Sequence, residues 1–229
     1  MAVLIAAAAA AAPAVASEQF RQSFAQRYSA MTPGVSTGTA TILEIFDPGE
    51  PRARPARAVR ELTVRFHKGT RFDSSAAPRC TVSRRRLERR GAGACPRASV
   101  VGAGSAELRS ATRPLESVKV TAFNRRRGPV ILMKPKRSRT FTLRSAIDGR
   151  RLTTRFPRQC ESGSGCAPGE AVLTRYRVTL SSRSANGTRY ITTPESCPRS
   201  EHWTVDAAVR YSDGYEERRL RSSSPCLRR

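Results

Sequence analysis

Alternating apolar residues followed by a turn dipeptide are the feature that most restricts the fold of this chain. From residue 203 to residue 211 every second residue is apolar, and Asp213-Gly214 follows. Successive side chains of a β-strand point to opposite faces, so this period of two predicts a strand with one buried face. Asp-Gly and Asn-Gly readily adopt the positive φ angles of tight hairpin turns, and two more such pairs occur at Asp148-Gly149 and Asn186-Gly187. The alternating residues, all predicted to face the core, are Trp203, Val205, Ala207, Val209 and Tyr211.

Other segments also have residue patterns that are typical of β-strands. Strands are predicted at 62–66, 115–123, 129–133 and 171–180. A two-residue turn at Asp148-Gly149 predicts that Phe141 opposes Phe156 and that Leu143 opposes Thr154. The one candidate helix lies between Ser17 and Met31, where the aromatic residues are spaced by four; a loose mature N-terminus is the alternative.

These patterns predict an all-β fold, either an antiparallel β-sandwich or a jelly-roll-like arrangement. We expect residues 1–16 to be a signal peptide, residues 17–57 an N-terminal segment and loop, and residues 58–229 the β-sandwich domain. A mature chain of this length can bury a core of its own, so disulfides would supplement packing.

The first sixteen residues indicate export. They are all small or apolar and end in Ala14-Val15-Ala16, a triplet that suits signal peptidase. The segment is shorter than the roughly 20 residues of a membrane-spanning helix, and no later apolar run reaches that length. We expect cleavage after Ala16 and a secreted or cell-envelope location. An uncleaved anchor is the alternative, because no Lys or Arg precedes the apolar run.

The six cysteines agree with an extracytoplasmic location. An even number of cysteines in an exported chain predicts disulfides. The sequence has no C-x-x-C motif and two histidines, so we expect neither a metal nor another cofactor. Sequence alone does not fix the pairing, but proximity favours three bridges. These are Cys80 with Cys95, Cys160 with Cys166, and Cys197 with Cys226.

Several short motifs resemble those of a group of exported proteins of high-GC bacteria to which no activity is assigned. The resemblance extends from about residue 59 to residue 226 and implies an exported β domain without implying site residues. The residues that carry it are Gly69-Thr70-Arg71-Phe72-Asp73, Cys80, Cys95-Pro96, Trp203, Tyr211-Ser212-Asp213-Gly214 and Ser224-Pro225-Cys226.

Two histidines limit any catalytic site. No G-x-S-x-G nucleophile motif accompanies His67 or His202. Candidate carboxylate pairs such as Asp206 and Asp213 have no spacing that indicates glycosidase chemistry. We therefore expect no enzymatic activity, and a secreted hydrolase with a site outside these patterns is the alternative.

Arginine is the residue type furthest above its usual frequency. The chain has 42 Lys and Arg against 18 Asp and Glu, a formal charge of +24, and four of the basic residues are lysine. Arginine binds phosphate, sulfate and carboxylate groups in bidentate geometry, which favours an anionic partner. A GC-rich genome, which enriches Arg with Ala, Gly and Pro, explains the same excess without a ligand. The candidate anion-binding residues, predicted to lie on exposed turns, are Arg84, Arg85, Arg86, Arg89, Arg90, Arg125, Arg126 and Arg127.

The sequence thus favours an exported binding domain whose basic surface engages anionic polymers. Acidic envelope polymers, anionic lipid headgroups and extracellular DNA are the polyanions available outside the cytoplasm, and a strongly basic surface attracts them. Specific nucleic-acid recognition is not expected there. A structural or assembly domain that uses exposed strand edges is a further alternative, and the oligomeric state stays open.

Overall fold

The computed structural model describes residues 21–46, 58–110, 115–157 and 171–228. The predicted signal peptide, the 47–57 loop and the predicted Cys160–Cys166 bridge lie outside the described residues. The strands are β1 (Arg21–Tyr28), β2 (Thr39–Phe46), β3 (Val59–Arg65), β4 (Arg71–Phe72), β5 (Val100–Ser110), β6 (Glu116–Phe123), β7 (Val130–Pro135), β8 (Phe141–Asp148), β9 (Arg151–Arg155), β10 (Ala171–Leu180), β11 (Ser184–Ala185), β12 (Thr188–Arg189), β13 (Ile191–Thr192), β14 (His202–Tyr211) and β15 (Glu216–Pro225). The α-helix α1 covers Arg84–Arg90, and short 3-10 turns cover Ser74–Ala76, Gly91–Ala94 and Arg97–Ser99.

Eleven strands form one antiparallel sheet in the order β1-β2-β10-β5-β6-β7-β8-β9-β3-β14-β15. The sheet curls until its edge strands meet, because Ser222 and Ser224 of β15 hydrogen bond to the backbone of β1. The Ser222 hydroxyl lies 3.0 Å from the Gln26 amide nitrogen and 3.1 Å from the Gln26 carbonyl oxygen. Serine side chains thereby satisfy backbone groups that an open sheet edge would expose.

Aromatic contacts show that opposite parts of the curled sheet pack face to face. Phe156, which follows β9, meets Tyr176 of β10 with ring centroids 5.6 Å apart. Tyr28 of β1 meets Trp203 of β14 at 5.2 Å, beside the closure where β1 meets β15. All five alternating residues of β14 are buried, as predicted. The fold therefore belongs to the predicted all-β antiparallel class, with sandwich-like packing.

The prediction of an N-terminal helix is wrong for the described residues. Arg21–Tyr28 forms strand β1 and pairs with β2, with Tyr28 opposite Thr39. Phe24 and Tyr28 are four residues apart, and this spacing keeps two residues on one face in a strand as well as in a helix. Strands β1 and β2 also belong to the same sheet as the strands that follow residue 58.

The Asn186-Gly187 hairpin has the predicted turn. Both residues have positive φ, 50° and 77°, and they connect the paired residues Ala185 and Thr188. This is the pattern of a type I′ turn. The Asp213-Gly214 pair also lies in a hairpin, between β14 and β15, where Gly214 has a φ of 86°.

The hairpin at Asp148-Gly149 forms, but its predicted register is wrong. Asp148 itself pairs with Arg151, so the two-residue loop is Gly149-Arg150, and Ser145 instead of Leu143 opposes Thr154. Gly149 has a φ of 54° and takes the first central position, as glycine does in a type II′ turn. A turn centred on Gly149-Arg150 in place of Asp148-Gly149 therefore changes which residues of β8 and β9 oppose each other.

Two of the three predicted disulfides are present. Cys80–Cys95 closes the segment that contains α1, and Cys197–Cys226 joins the loop before β14 to the end of β15. Each bridge is local in sequence, with separations of 15 and 29 residues, which is why proximity identified them.

Candidate functional site

The basic segment 84–90 is a helix and not the predicted exposed turn. The Ser83 hydroxyl accepts a hydrogen bond from the Arg86 amide at 3.3 Å and caps the N-terminus of α1. Gly91, with a φ of 66°, ends the helix. A serine cap before a run of Arg, Leu and Glu, all good helix formers, is the sequence signal that indicates this helix.

Helix α1 packs on the outer face of the sheet. Leu87 is fully buried against Phe123, Val130 and Leu132, which come from β6 and β7. The Cys80–Cys95 bridge belongs to the same small apolar cluster, separate from the main core. One leucine and one disulfide therefore hold the helix on the sheet.

Polar contacts fix the other side of the helix to β8. The Glu88 Oε1 atom accepts hydrogen bonds from the Thr142 amide at 3.1 Å and from the Thr142 hydroxyl at 2.7 Å. Arg84 Nε donates to the Thr142 hydroxyl oxygen at 2.9 Å, and Arg84 pairs with Glu88 at 3.7 Å. The Arg84 side chain is thus engaged in docking α1.

The second basic segment, 125–127, follows β6 as predicted for a turn, and it meets the α1 segment. The half-buried Arg125 guanidinium donates a hydrogen bond to the Val82 carbonyl. Burial lowers the pKa of Arg125, and the nearby positive charge of Arg84 lowers it further. The two segments, far apart in sequence, therefore form one basic surface.

We call this surface the helix patch. It combines eight arginines with a single carboxylate, Glu88, which is occupied by Thr142 and Arg84. Six of the arginines are exposed to solvent, namely Arg85, Arg86, Arg89, Arg90, Arg126 and Arg127.

A second basic surface lies on the outer face of β9, β3, β14 and β15, and the sequence analysis did not identify it. Its centre is a row of small side chains, the threonine row, formed by Thr153, Thr63 and Ala208 in register across three strands. The Thr63 and Thr153 hydroxyls lie 3.4 Å apart. Longer side chains on both sides of this row enclose an open trough of about 1030 Å³, which we call the arginine trough.

One side of the trough is the Arg151 row, in which Arg151, Arg65, Asp206 and Arg221 lie in register across the four strands. Arg151 and Arg65 are direct cross-strand neighbours. Asp206 is held by Arg221, whose Nε lies 2.9 Å from the Asp206 Oδ1. Within the described residues no carboxylate forms an ion pair with Arg65 or Arg151.

The other side is the Arg155 row, in which Arg155, Glu61, Arg210 and Glu216 are in register. Here the charges alternate. Glu61 pairs with Arg155 at 2.8 Å and with Arg210 at 3.3 Å, while Glu216 pairs with Arg218 at 2.7 Å. One side of the trough is therefore internally paired. On the other side, Arg65 and Arg151 lie opposite Asp206 and Asp148 respectively but form no ion pair with them in the described part of the chain.

Neither histidine lines the arginine trough or belongs to the helix patch. His67 Nδ1 accepts a hydrogen bond from the Thr204 amide at 3.1 Å, and burial together with the charge of Arg150 lowers the His67 pKa. His202 is exposed, with its Nδ1 2.8 Å from the Ser200 carbonyl oxygen. In the described ranges neither imidazole is bonded to a carboxylate.

Over the same ranges, no group of three His, Cys, Asp or Glu side chains is placed to hold a metal ion. None of the described helices has the length and apolar character needed to cross a membrane. No known family model matches the chain, and no curated protein is significantly similar to it. The geometry of the two basic surfaces is thus the basis for a functional proposal.

Proposed function

We propose that this protein is an exported, non-enzymatic binding domain that engages anionic polymers of the cell envelope or exterior through the helix patch. The observation that carries the proposal is the contact between Arg125 and the Val82 carbonyl, which joins two arginine clusters into one surface. In this proposal the signal segment is removed after Ala16 and the mature chain works outside the cytoplasm.

The helix patch suits a polymer better than a single small anion. Its six exposed arginines are distributed over one helix and the adjoining 125–127 loop. Residues four apart on a helix are neighbours, so Arg85 and Arg89 form one pair and Arg86 and Arg90 form another. A chain of regularly spaced phosphates, sulfates or carboxylates can contact several of these arginines at once, and each contact is individually weak in water.

The patch is also fixed in place before any ligand arrives. Leu87, Glu88 and the Cys80–Cys95 bridge hold α1 on the sheet. A preformed surface loses less backbone freedom on binding than a flexible basic tail does, and this favours binding at physiological salt.

Charge reversal at matched positions tests the proposal. Arg86→Glu with Arg90→Glu changes the helix patch, and Arg109→Glu with Arg177→Glu is the control. Arg109 and Arg177 are exposed arginines on strands β5 and β10, outside both basic surfaces, and the control changes the charge equally. The probe is a poly(glycerol phosphate) polymer, and the measurement is affinity at physiological salt by isothermal titration calorimetry.

The proposal predicts that the patch variant binds about tenfold or more weakly than the control variant, given the strength of charge-assisted hydrogen bonds. Equal losses in the two variants would mean that only total charge matters, and the helix patch would not be the binding surface.

A further inference from the structure

The arginine trough places two arginines side by side, and neither forms an ion pair with a described residue. Arg65 and Arg151 are directly opposed on antiparallel strands, where Cβ atoms lie about 4.5–5.5 Å apart and like charges are destabilising. Each also has an aspartate as its other cross-strand neighbour, Asp206 for Arg65 and Asp148 for Arg151, but Asp206 forms its ion pair with Arg221 and none joins Asp148 to Arg151. In the Arg155 row, by contrast, Glu61 forms ion pairs with both Arg155 and Arg210. The guanidinium groups of Arg65 and Arg151 are therefore available to an anion.

We infer that the trough is a binding site for a phosphate or sulfate group carried on a sugar-like, hydroxyl-bearing unit, with Arg65 and Arg151 holding the anionic group. A carboxylate has two oxygens, which one guanidinium can satisfy in bidentate geometry. A phosphate or sulfate monoester has three terminal oxygens and can bridge two guanidinium groups on adjacent strands. Two arginines at cross-strand distance therefore favour the tetrahedral group.

The threonine row supplies the second half of the site. Thr63 and Thr153 place two hydroxyls beside the arginine couple, and Ala208 leaves space where a larger side chain would fill the trough. Hydroxyls both donate and accept hydrogen bonds, which suits the hydroxyls of a sugar ring. Four strands span about 14 Å at the usual strand spacing, enough for one or two sugar units across the trough.

This inference goes beyond the proposed function, because no residue of the helix patch lines the trough. The helix patch is convex and suits long polymers, whereas the trough is concave and suits one phosphorylated or sulfated unit. Either surface can bind its ligand without the other.

The test uses the oxidised full-length mature protein and small probes. Inorganic phosphate, inorganic sulfate, acetate, glucose 6-phosphate, glucose 6-sulfate and glucose are titrated at physiological salt, and the arginine Nε–Hε signals are followed by NMR. We expect the phosphate and sulfate probes to bind more tightly than acetate, and the sugar monoesters to bind more tightly than the inorganic ions. Preference between glucose 6-phosphate and glucose 6-sulfate distinguishes the two sources of the tetrahedral group.

Matched variants localise the binding. Arg65→Gln with Arg151→Gln should weaken binding of glucose 6-phosphate about tenfold or more. Arg109→Gln with Arg177→Gln removes the same charge on β5 and β10, which do not line the trough, and should leave the affinity within about twofold, as expected for distant charges screened by salt. Thr63→Val with Thr153→Val should weaken glucose 6-phosphate binding and leave inorganic phosphate binding unchanged.

Two results would overturn the inference: acetate binding as tightly as phosphate and sulfate, or equal losses in the trough and control variants. The helix-patch variant Arg86→Glu with Arg90→Glu should retain glucose 6-phosphate binding. The experiment therefore distinguishes a wrong proposal for the trough from a wrong proposal for the helix patch.

Discussion

Arg125 donates its guanidinium hydrogen bond to the Val82 carbonyl, a backbone group 43 positions earlier in the chain. This contact attaches the 125–127 loop to the segment that leads into α1. It places Arg126 and Arg127 beside a helix that presents four exposed arginines of its own. Together with the hydrogen bonds that Asn124 makes to Cys80 and Ala77, this contact joins two local runs of arginine into one surface.

The docking of α1 predicts a stability difference between two glutamates. Glu88→Ala should lower the free energy of unfolding by about 1–2 kcal/mol, because it removes the acceptor of both Thr142 hydrogen bonds. Glu195→Ala is the control, since Glu195 forms an exposed ion pair with Arg71 and should contribute between about 0 and 1 kcal/mol. Urea unfolding monitored by Trp203 fluorescence measures both. Equal losses would show that Glu88 does not anchor the helix.

The close approach of β5 and β10 predicts that Gly104 cannot be replaced. A Cβ atom at Gly104 would lie 2.0 Å from the Arg177 carbonyl oxygen, so Gly104→Ala forces the strands apart and should cost about 3 kcal/mol. Gly93→Ala is the matched control, because a Cβ there meets no atom within 4 Å. Thermal unfolding of the two variants separates these effects. A Gly104→Ala protein as stable as the Gly93→Ala protein would contradict this packing.

The partly buried position of His67 predicts a pH dependence of stability. Its pKa is lowered in the folded protein, mainly by burial, so the unfolded chain binds the proton more readily. The stability contributed by neutral His67 is present above the unfolded pKa of about 6.5 and is lost as the pH falls through the lower folded pKa. His67→Asn keeps an acceptor for the Thr204 amide and removes the titration. We expect unfolding curves recorded between pH 7.5 and about 5 to show a smaller slope in the variant. Identical slopes would exclude this role.

The two rows of the trough predict different effects on stability. Arg65→Gln with Arg151→Gln should change the free energy of unfolding by less than about 1 kcal/mol, because the repulsion between the two arginines opposes the attraction of each to its cross-strand aspartate. Arg155→Gln with Arg210→Gln should lower the free energy of unfolding by more, since it leaves the largely buried Glu61 without its partners. Urea unfolding measures both variants. Equal losses in the two variants would contradict the distinction between the rows.

Local signals in the sequence predicted most of the fold. The alternation in β14 and the Asn-Gly turn each depend on residues within ten positions of one another, and both predictions are confirmed. The N-terminal helix was wrong because a spacing of four is common to helices and strands. A run of charged arginines is typical of an exposed loop, and the predicted turn at 84–90 was wrong for that reason. Ser83 and Leu87 are typical of a short capped helix, and α1 forms there.

The candidate site could be predicted only in part. The arginines of the helix patch are contiguous runs that can be recognised in the sequence, but the two runs meet through long-range hydrogen bonds such as Arg125 to Val82 and Cys80 to Asn124. The trough was not visible, because Arg65, Arg151 and Asp206 come from three strands and become neighbours only through sheet register. Register depended in turn on the turn at Gly149, which differs from the predicted one. A surface whose residues come from several strands can therefore be recognised only from the structure.

The most direct test of the central claim is the binding of the oxidised mature protein, starting at Ser17, to a panel of anionic polymers, anionic lipid vesicles and DNA at increasing salt. Attachment by total charge alone weakens steeply with salt and does not depend on ligand identity. The proposed function predicts that at least one envelope-type polymer stays bound at physiological salt after DNA and lipid vesicles have dissociated. Uniform loss of every ligand over the same salt range would contradict it and would identify the charge of +24 as a consequence of composition.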